Sequence, residues 1–319
     1  MLSIGIYGFF CVSSLLSVLT TASPLAKRVA PTFVFSGDAP FSVSSDTLAA
    51  ALTCPNGNPT TSSPPVLLVH GTASVGSETW GEGYVPALKA NGYTACYVNI
   101  PNRSMGDMQV NAEFVAYNLH YLSSLSGGLP PAVIAHSQGN PNTQWALEYF
   151  PSTRNITRAF IALSPDFAGI DLLGSDSLFS DICATGLCQA ALWQQAAGSN
   201  YYSALHAKDF TALVPTTSIW TQFDGVVAPY QENAQLPGAT VIQVQDLCPL
   251  RLTTHVTMTV SSPVFSLALD ALQHDGVASL SRVRKDALGI CLRVNAEGMS
   301  SDVITDLGKD LTELVDGFL

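Results

Sequence analysis

The chain has 319 residues, of which 47% are hydrophobic, and 24 acidic against 13 basic residues give a formal net charge of −11. An apolar fraction this large can bury a substantial core, so intrinsic disorder is excluded. Because the basic residues nowhere cluster, nucleic acid and anionic membrane surfaces are excluded as expected partners.

The N-terminus is typical of a secretion signal. Residues 4–19 are continuously apolar and are followed by small or polar residues at 20–23, which favours a signal peptide over a buried helix or a membrane anchor. The run is short for a bilayer span. Lys27 and Arg28 then form a dibasic processing site. We therefore expect 1–28 to be signal peptide and short propeptide, 29–319 to be a single domain, and the mature protein to be extracellular with no integral membrane span.

The cysteine count agrees with secretion. Cys11 lies in the proposed signal, and the even remainder suggests three disulfides in a secreted chain, although sequence alone leaves the pairings open. These six are Cys54, Cys96, Cys183, Cys188, Cys248 and Cys291. Asn102 and Asn155 each begin a glycosylation sequon. The chain has no Cys-x-x-Cys or His-Glu-x-x-His motif, so the sequence gives a metal site little support.

From residue 63 onward, short apolar runs alternate with helical patterns. The predicted strands are 66–69, 93–100, 132–135, 158–163, 218–223 and 240–244. Helical periodicity predicts helices at 108–125 and 138–150. Strands that are apolar on both faces and alternate with helices predict an α/β fold with a mainly parallel central sheet flanked by helices.

Two segments fall outside this alternation. The insertion 166–195 mixes leucines and a phenylalanine with Gly, Ser and Asp, and is either a cap or lid over a pocket or an ordinary packing excursion. The C-terminal residues carry an amphipathic stripe that is typical of core packing. Its members are Val303, Leu307, Leu311, Leu314 and Phe318.

Ser137 is the candidate nucleophile. The segment 135–139 (AHSQG) has small residues two before and two after the serine, as required by a tight strand-to-helix turn that exposes the hydroxyl. Ser74 and Ser126 satisfy the same relaxed pattern. However, Ser126 follows a helix, and Ser74 lies in a loop with no helix predicted immediately after it. Only Ser137 comes directly from a short buried strand into a helix.

An oxyanion hole is expected beside Ser137. The turn 70–72 ends an earlier strand, where backbone amides can point to the same place as the Ser137 turn. We assign the donors to the Gln138 amide and to Thr72, whose hydroxyl can add a hydrogen bond. Donors of this kind contribute about 3–4 kcal/mol each to a charged intermediate.

His255 is the candidate base. Three histidines precede the nucleophile: His70, His120 and His136. Since the usual chain order in this architecture is Ser, acid, His, the base is expected after Ser137. His206 and His274 lie in helical patterns, whereas His255 lies in a loop after the last strong strand.

Asp224 is the candidate acid. Asp166 and Asp224 both follow predicted strands, and the strand before Asp224 is next in sequence to the one that leads to His255. A buried carboxylate there would accept the imidazole N–H and stabilise the imidazolium. The alternative for either aspartate is a helix-cap or turn residue.

Taken together, these motifs resemble the lipase B family of the Candida antarctica type, from about Phe41 to the C-terminal helix. The matching segments are 67–72 (LLVHGT), 107–111 (DMQVN), 137–139 (SQG), 164–166 (SPD), 193–195 (WQQ), 213–217 (LVPTT) and the surroundings of Asp224 and His255. The resemblance implies an α/β-hydrolase fold, secretion, ester hydrolysis or transfer, and disulfides Cys54–Cys96 and Cys248–Cys291. Proximity and even count alone pair Cys183 with Cys188.

The resemblance also suggests substrate-binding residues. Asp166, Gln195, Val226 and Val227 match positions that line the pocket of that lipase. His136, which stands where the lipase has a large Trp before its nucleophile, is a fifth candidate substrate-binding residue, but this departure means that the lipase's stereospecificity pocket is not carried over.

We therefore expect a secreted serine lipase or carboxylesterase that hydrolyses or transesterifies lipid esters such as triacylglycerols through an acyl-enzyme. It is expected to need no cofactor and to be a monomer. The alternatives are a short-chain or polyester esterase, a dedicated acyltransferase, and a non-catalytic lipid-binding protein of the same fold. The intact Ser, acid, His and oxyanion set argues against the last.

Overall fold

A seven-stranded sheet organises the chain in the computed structural model, which describes residues 29–171, 188–208, 210–301 and 303. The proposed signal and propeptide, Cys183, most of the insertion and the stripe beyond Val303 lie outside these residues. Of the helices in the described ranges, none has both the length and the apolar character needed to cross a bilayer.

The sheet is parallel except at one edge. Its strands are β1 (Leu52–Thr53), β2 (Pro65–Val69), β3 (Thr94–Val98), β4 (Ala132–His136), β5 (Ala159–Leu163), β6 (Thr216–Trp220) and β7 (Thr240–Gln243). They lie in the order β1-β3-β2-β4-β5-β6-β7. Only the β1–β3 pair is antiparallel. The loops after β2, β4, β5 and β6 therefore meet at one edge of the sheet.

Helices cover both faces of this sheet. The described α-helices are α1 (Ser45–Ala50), α2 (Gly76–Trp80), α3 (Tyr84–Ala90), α4 (Met108–Leu125), α5 (Gly139–Tyr149), α6 (Ala190–Gln194), α7 (Asn200–Leu205), α8 (Tyr230–Asn233), α9 (Val244–Leu247), α10 (Ser262–Gln273), α11 (Leu280–Val283) and α12 (Ala287–Leu292). The described residues also include 3-10 helices at Pro101–Ser104, Pro151–Asn155, Val256–Thr259 and Arg284–Asp286. The predicted α/β fold with a mainly parallel sheet flanked by helices is confirmed.

Successive residues of strands β2 to β5 belong to two different cores. In β4, Val133 and Ala135 pack with helices α1, α4 and α5, whereas Ala132 and Ile134 pack with α3 and α10. All five residues of β4 are buried. Because helices cover both faces of the sheet, strand side chains of either orientation are buried. This explains why β2, β4 and β5 are continuous apolar runs in the sequence.

The structure corrects two details of the sequence prediction. Strand β6 begins at Thr216 and ends at Trp220, so Asp224 lies in the loop four residues beyond the strand. The Thr221 hydroxyl donates to Thr253 O at 2.6 Å, and this contact replaces further sheet pairing. A short helix, α2, also begins two residues after Ser74, contrary to prediction, and the Glu78 carboxylate accepts the Val75 N–H at its start.

Two disulfides connect the sheet and the helices. Cys54–Cys96 joins the segment after β1 to β3, and Cys248–Cys291 joins the segment before His255 to α12. Both pairings are those that the family resemblance implies. Cys188 is also disulfide-bonded. Its expected partner, Cys183, lies outside the described residues.

Candidate active site

Ser137 sits in a tight turn between β4 and α5. Its φ is +54°, a left-handed conformation that few side-chain-bearing residues adopt, and its N–H donates to Leu163 O at 3.1 Å. A Cβ added at Gly139 would lie 2.7 Å from Val69 O and 2.9 Å from His70 O, two backbone atoms. The small residue two positions after the serine is therefore a steric requirement of this turn, as the sequence analysis expected.

The turn after β2 lies directly against the Ser137 turn. A Cβ on Gly71 would come within 2.7 Å of the Ser137 Cβ and 3.2 Å of His136 O. Only glycine allows this approach without displacement. The structure thus brings Thr72, the next residue, to the edge of the sheet where Ser137 and Gln138 lie.

His255 and Asp224 contact each other through both side chain and backbone. The His255 Nδ1 lies 2.9 Å from Asp224 Oδ1 and 3.0 Å from Oδ2, and the His255 N–H donates to Asp224 O at 3.0 Å. Both residues are buried. A carboxylate that accepts from Nδ1–H leaves Nε2 as the ring's unprotonated nitrogen when the imidazole is neutral.

Backbone amides stabilise the Asp224 carboxylate from its other side. Val226 and Val227 donate their N–H groups to Oδ1 at 3.1 and 2.7 Å. Burial by itself would raise the pKa of Asp224, but the charge and hydrogen bond of His255, the Val227 N–H and Ser164 outweigh it and lower the pKa. Asp224 therefore stays ionised beside His255.

His136, the residue before Ser137, contacts His255. The rings of His136 and His255 have centroids 4.7 Å apart, and His136 Nε2 lies 2.9 Å from His255 O. Within the described part of the chain, Ser137 Oγ and the His255 ring share no hydrogen bond. Such contacts are often long in free enzymes and shorten when substrate binds.

Thr72 and Gln138 lie near the nucleophile, but their side chains have other contacts. The Thr72 hydroxyl donates to Gln195 Oε1 at 3.0 Å, and Gln195 Nε2 donates to Ala191 O at 3.2 Å. The Gln138 side-chain oxygen accepts from the Ser104 hydroxyl. The backbone N–H groups of Thr72 and Gln138 donate to no other described residue.

Sequence reasoning missed the contribution of the 3-10 helix Pro101–Ser104. Arg103 donates through Nε to Ala73 O at 2.8 Å and forms a paired contact with Glu78 at 2.9 and 2.6 Å. Asn102, Arg103 and Ser104 all have positive φ, between 52° and 62°. These contacts fix the segment after Thr72 and the side chain of Gln138. The sequence shows this segment only as a glycosylation sequon, so no local signal marks it.

Asp166 is buried close to the site but contacts a different partner. Its Oδ2 accepts from the Tyr202 hydroxyl at 3.1 Å, and its Oδ1 has no hydrogen bond to any other described residue. Burial raises the pKa of Asp166 to about 7. Of the two aspartates that the sequence offered, the structure places Asp224, not Asp166, against His255.

The other histidines have structural contacts. His70 is fully buried between the Ile100 N–H, which donates to Nε2, and Gly71 O, and burial lowers its pKa to about 4. His120 Nε2 contacts Ser152 Oγ, and His206 Nε2 contacts Phe167 O. His274 lies at the end of α10, where Nδ1 contacts Asp270 O.

The two alternative serines are also engaged in local contacts. Ser74 Oγ lies 2.7 Å from Thr79 Oγ1. Ser126 is buried and donates to Leu122 O at 2.9 Å. The hydroxyls of both serines are thus occupied by local hydrogen bonds.

Comparison with known proteins gives two strong relatives. The chain is 31% identical over 269 residues to lipase B of Pseudozyma antarctica, a match that covers 82% of this chain and 76% of that protein. It superimposes on the crystal structure of Aspergillus fumigatus lipase B with a TM-score of 0.80 and 31% identity, covering 92% of this chain and 72% of the other. No family model matches the chain.

Proposed function

The chain belongs to the lipase B family and is an ester hydrolase of the α/β-hydrolase fold, and from that premise we propose that it is a secreted serine lipase that works through an acyl-enzyme. The resemblance seen in the sequence is thereby confirmed at the level of the family. The observation that carries the proposal is the buried Asp224–His255 pair beside the left-handed turn of Ser137.

In the first half-reaction, Ser137 Oγ attacks the ester carbonyl carbon while His255 Nε2 takes the hydroxyl proton. The contact with Asp224 keeps the proton on Nδ1 and stabilises the imidazolium that forms. The backbone N–H groups of Thr72 and Gln138, which have no acceptor among the described residues, bind the oxyanion. The Thr72 hydroxyl can join them by releasing Gln195 Oε1.

Collapse of the tetrahedral intermediate breaks the ester C–O bond, His255 gives its proton to the leaving alkoxide, and the acyl-enzyme completes the first half-reaction. In the second half-reaction, water attacks the acyl-enzyme with His255 again as base, and a second collapse releases the carboxylic acid and returns the proton to Ser137. An alcohol in place of water gives transesterification. Every proton is accounted for by these residues and the substrate, so the cycle uses no cofactor.

Lipid esters such as triacylglycerols are the proposed substrates. The names of both relatives support this class, and exposed aromatic side chains lie next to site residues in sequence. Trp193 is two residues from Gln195 and 53% exposed, and Phe223 is adjacent to Asp224 and 37% exposed. Asp166, Gln195, Val226 and Val227 remain proposed pocket residues, although Val226 and Val227 also donate to Asp224.

The remaining parts of the proposal concern maturation. We expect removal of residues 1–28, one domain over 29–319, and a monomer. The two disulfides described above support an oxidising compartment. Asn102 and Asn155 are both exposed and accessible for glycosylation. N-terminal sequencing of the protein secreted into the medium should begin at Val29.

The decisive test measures initial hydrolysis rates against acyl length, from acetate to oleate esters, for the mature protein and Ser137→Ala. We expect rates that rise toward long chains and fall to background in Ser137→Ala, together with labelling of the wild type alone by a fluorophosphonate probe. A maximum at acetate would make the protein a short-chain esterase. Absence of both hydrolysis and labelling in the wild type would overturn the proposal.

A further inference from the structure

His136 has a contact with the base that its position next to Ser137 does not by itself require. It is the last residue of β4, its side chain is 8% exposed, and its Nε2 lies 2.9 Å from the backbone oxygen of His255. The two residues are 119 positions apart in sequence. The strand that presents the nucleophile is therefore bonded directly to the backbone of the base.

The chemistry of this contact defines the state of His136. A carbonyl oxygen only accepts, so His136 Nε2 must carry the proton that it donates. The groups facing the ring are the His255 ring, Asp224 and His70. Burial, followed by the charge of His255, lowers the pKa of His136 to about 3, so the ring stays neutral and remains a donor across the range in which ester hydrolysis runs.

His255 is consequently bonded at three points. Asp224 O accepts its backbone N–H, the Asp224 carboxylate accepts its Nδ1–H, and His136 donates to its carbonyl. The first two contacts come from one residue on the β6 loop. The third comes from β4 and is the one that relates the base to the turn of Ser137.

We propose that His136 is a positioning residue for the base: its Nε2–H fixes the backbone of His255 so that the imidazole is aligned between Asp224 and Ser137. This inference rests on the proposed function of Ser137, Asp224 and His255. In this role His136 acts through the orientation of His255. A misplacement of about 1 Å in such a group can cost about a hundredfold in rate.

Two variants separate the donor from the ring. His136→Phe keeps an aromatic ring against His255 but removes the N–H. His136→Gln keeps an N–H near the position of Nε2 and removes the ring. The quantities to compare are kcat, KM and the second-order rate constant of Ser137 labelling by a fluorophosphonate probe, each as a function of pH. The melting temperature of every variant measures its folding.

We expect His136→Phe to lower both kcat and the labelling rate by about tenfold or more, with KM within about twofold of wild type. His136→Gln should recover most of the rate, whatever its melting temperature.

Equal rates in wild type and His136→Phe, or equal losses of rate in both variants, would overturn the positioning role. The failure of the proposed function gives a different result, since wild-type protein would then not be labelled at all, and both conclusions would fall together. A labelled wild type confines any failure to His136.

Discussion

At the level of single residues, Asp166 and Asp224 show how surroundings give two aspartates opposite properties. Asp224 accepts from His255 and from two backbone amides, and its pKa is lowered despite burial. Among the other described residues, Asp166 has only the Tyr202 hydroxyl as a donor, and burial raises its pKa to about 7. One carboxylate is thus suited to stabilising an imidazolium, and the other favours its neutral form.

Replacing Asp224 with Asn should lower kcat by about 10⁴-fold, because an amide can donate to Nδ1 and favour the wrong imidazole tautomer. Steady-state ester hydrolysis with active-site titration measures the effect. Asp246→Asn, the same change at an exposed residue, is the control and should keep wild-type kcat. A loss below about tenfold in Asp224→Asn would contradict the assignment of the acid.

Asp166→Asn should change how stability depends on pH. The folded-state pKa of Asp166, about 7, lies above its ordinary value of 3.8, so its contribution to stability is full below pH 4 and is lost as pH rises toward 7. The variant lacks this loss. The free energy of unfolding of the variant minus that of wild type should therefore increase by up to about 4 kcal/mol between pH 4 and pH 7. Above pH 7 this difference should stay constant.

Urea unfolding of both proteins at several pH values measures this difference. The amide still accepts from Tyr202, so the hydrogen bond is retained in the variant. A difference in stability that does not vary with pH would show that Asp166 is ionised throughout this range.

At the level of elements, the close approach of β2, β4 and the start of α5 creates the site. The backbone after β2 runs so near Ser137 and Gly139 that side chains are excluded at two glycines. The contacts of Pro101–Ser104 then fix Ala73 and Gln138 from the outside. Asn111, on α4, adds a bond from its Nδ2 to Ser104 O at 3.1 Å.

Gly139→Ala should destabilise the fold by about 1–3 kcal/mol, since the new Cβ would meet two backbone oxygens that cannot move independently. Gly106→Ala is a matched control, because its nearest atom would be 3.8 Å from the new Cβ. Denaturant unfolding should place the control within about 0.5 kcal/mol of wild type. Equal stability of the two variants would contradict the packing argument.

At the level of the whole molecule, the two large cores and the disulfides Cys54–Cys96 and Cys248–Cys291 unite the elements of the described residues. Helices on opposite faces of the sheet bury alternate residues of β2 to β5. The disulfides close segments of 42 and 43 residues, and one of them lies just before the loop that carries His255. The segment that leads to His255 is therefore joined covalently to α12.

Removal of either disulfide by paired Cys→Ala substitution should lower the free energy of unfolding by about 2–4 kcal/mol, because each closes a loop of similar length. Loss of Cys248–Cys291 should also lower kcat, whereas loss of Cys54–Cys96 should affect stability alone. Thermal unfolding and ester hydrolysis of both double variants measure the two effects. Equal kcat in the two variants would show that the segment before His255 is positioned without its disulfide.

The sequence by itself determined the features that depend on near neighbours along the chain. Apolar runs predicted strands β2 to β7, and helical periodicity predicted α4 and α5, because most strands buried on both faces are apolar throughout. The two-residue strand β1 was not predicted. The turn at Ser137 was also predictable, because the small residues that it requires lie within two positions of the serine. Family resemblance, rather than spacing, supplied the disulfide pairing.

Only the tertiary structure decided the contacts between residues far apart in sequence. The donation from His136 to His255, the bond of Thr72 to Gln195 and the contact of Ser104 with Gln138 join residues separated by 119, 123 and 34 positions. Periodicity reports which side of an element is buried but not which atoms meet there. The pKa shifts of Asp166 and Asp224 result from these tertiary contacts and from burial, so they could not be predicted from the sequence.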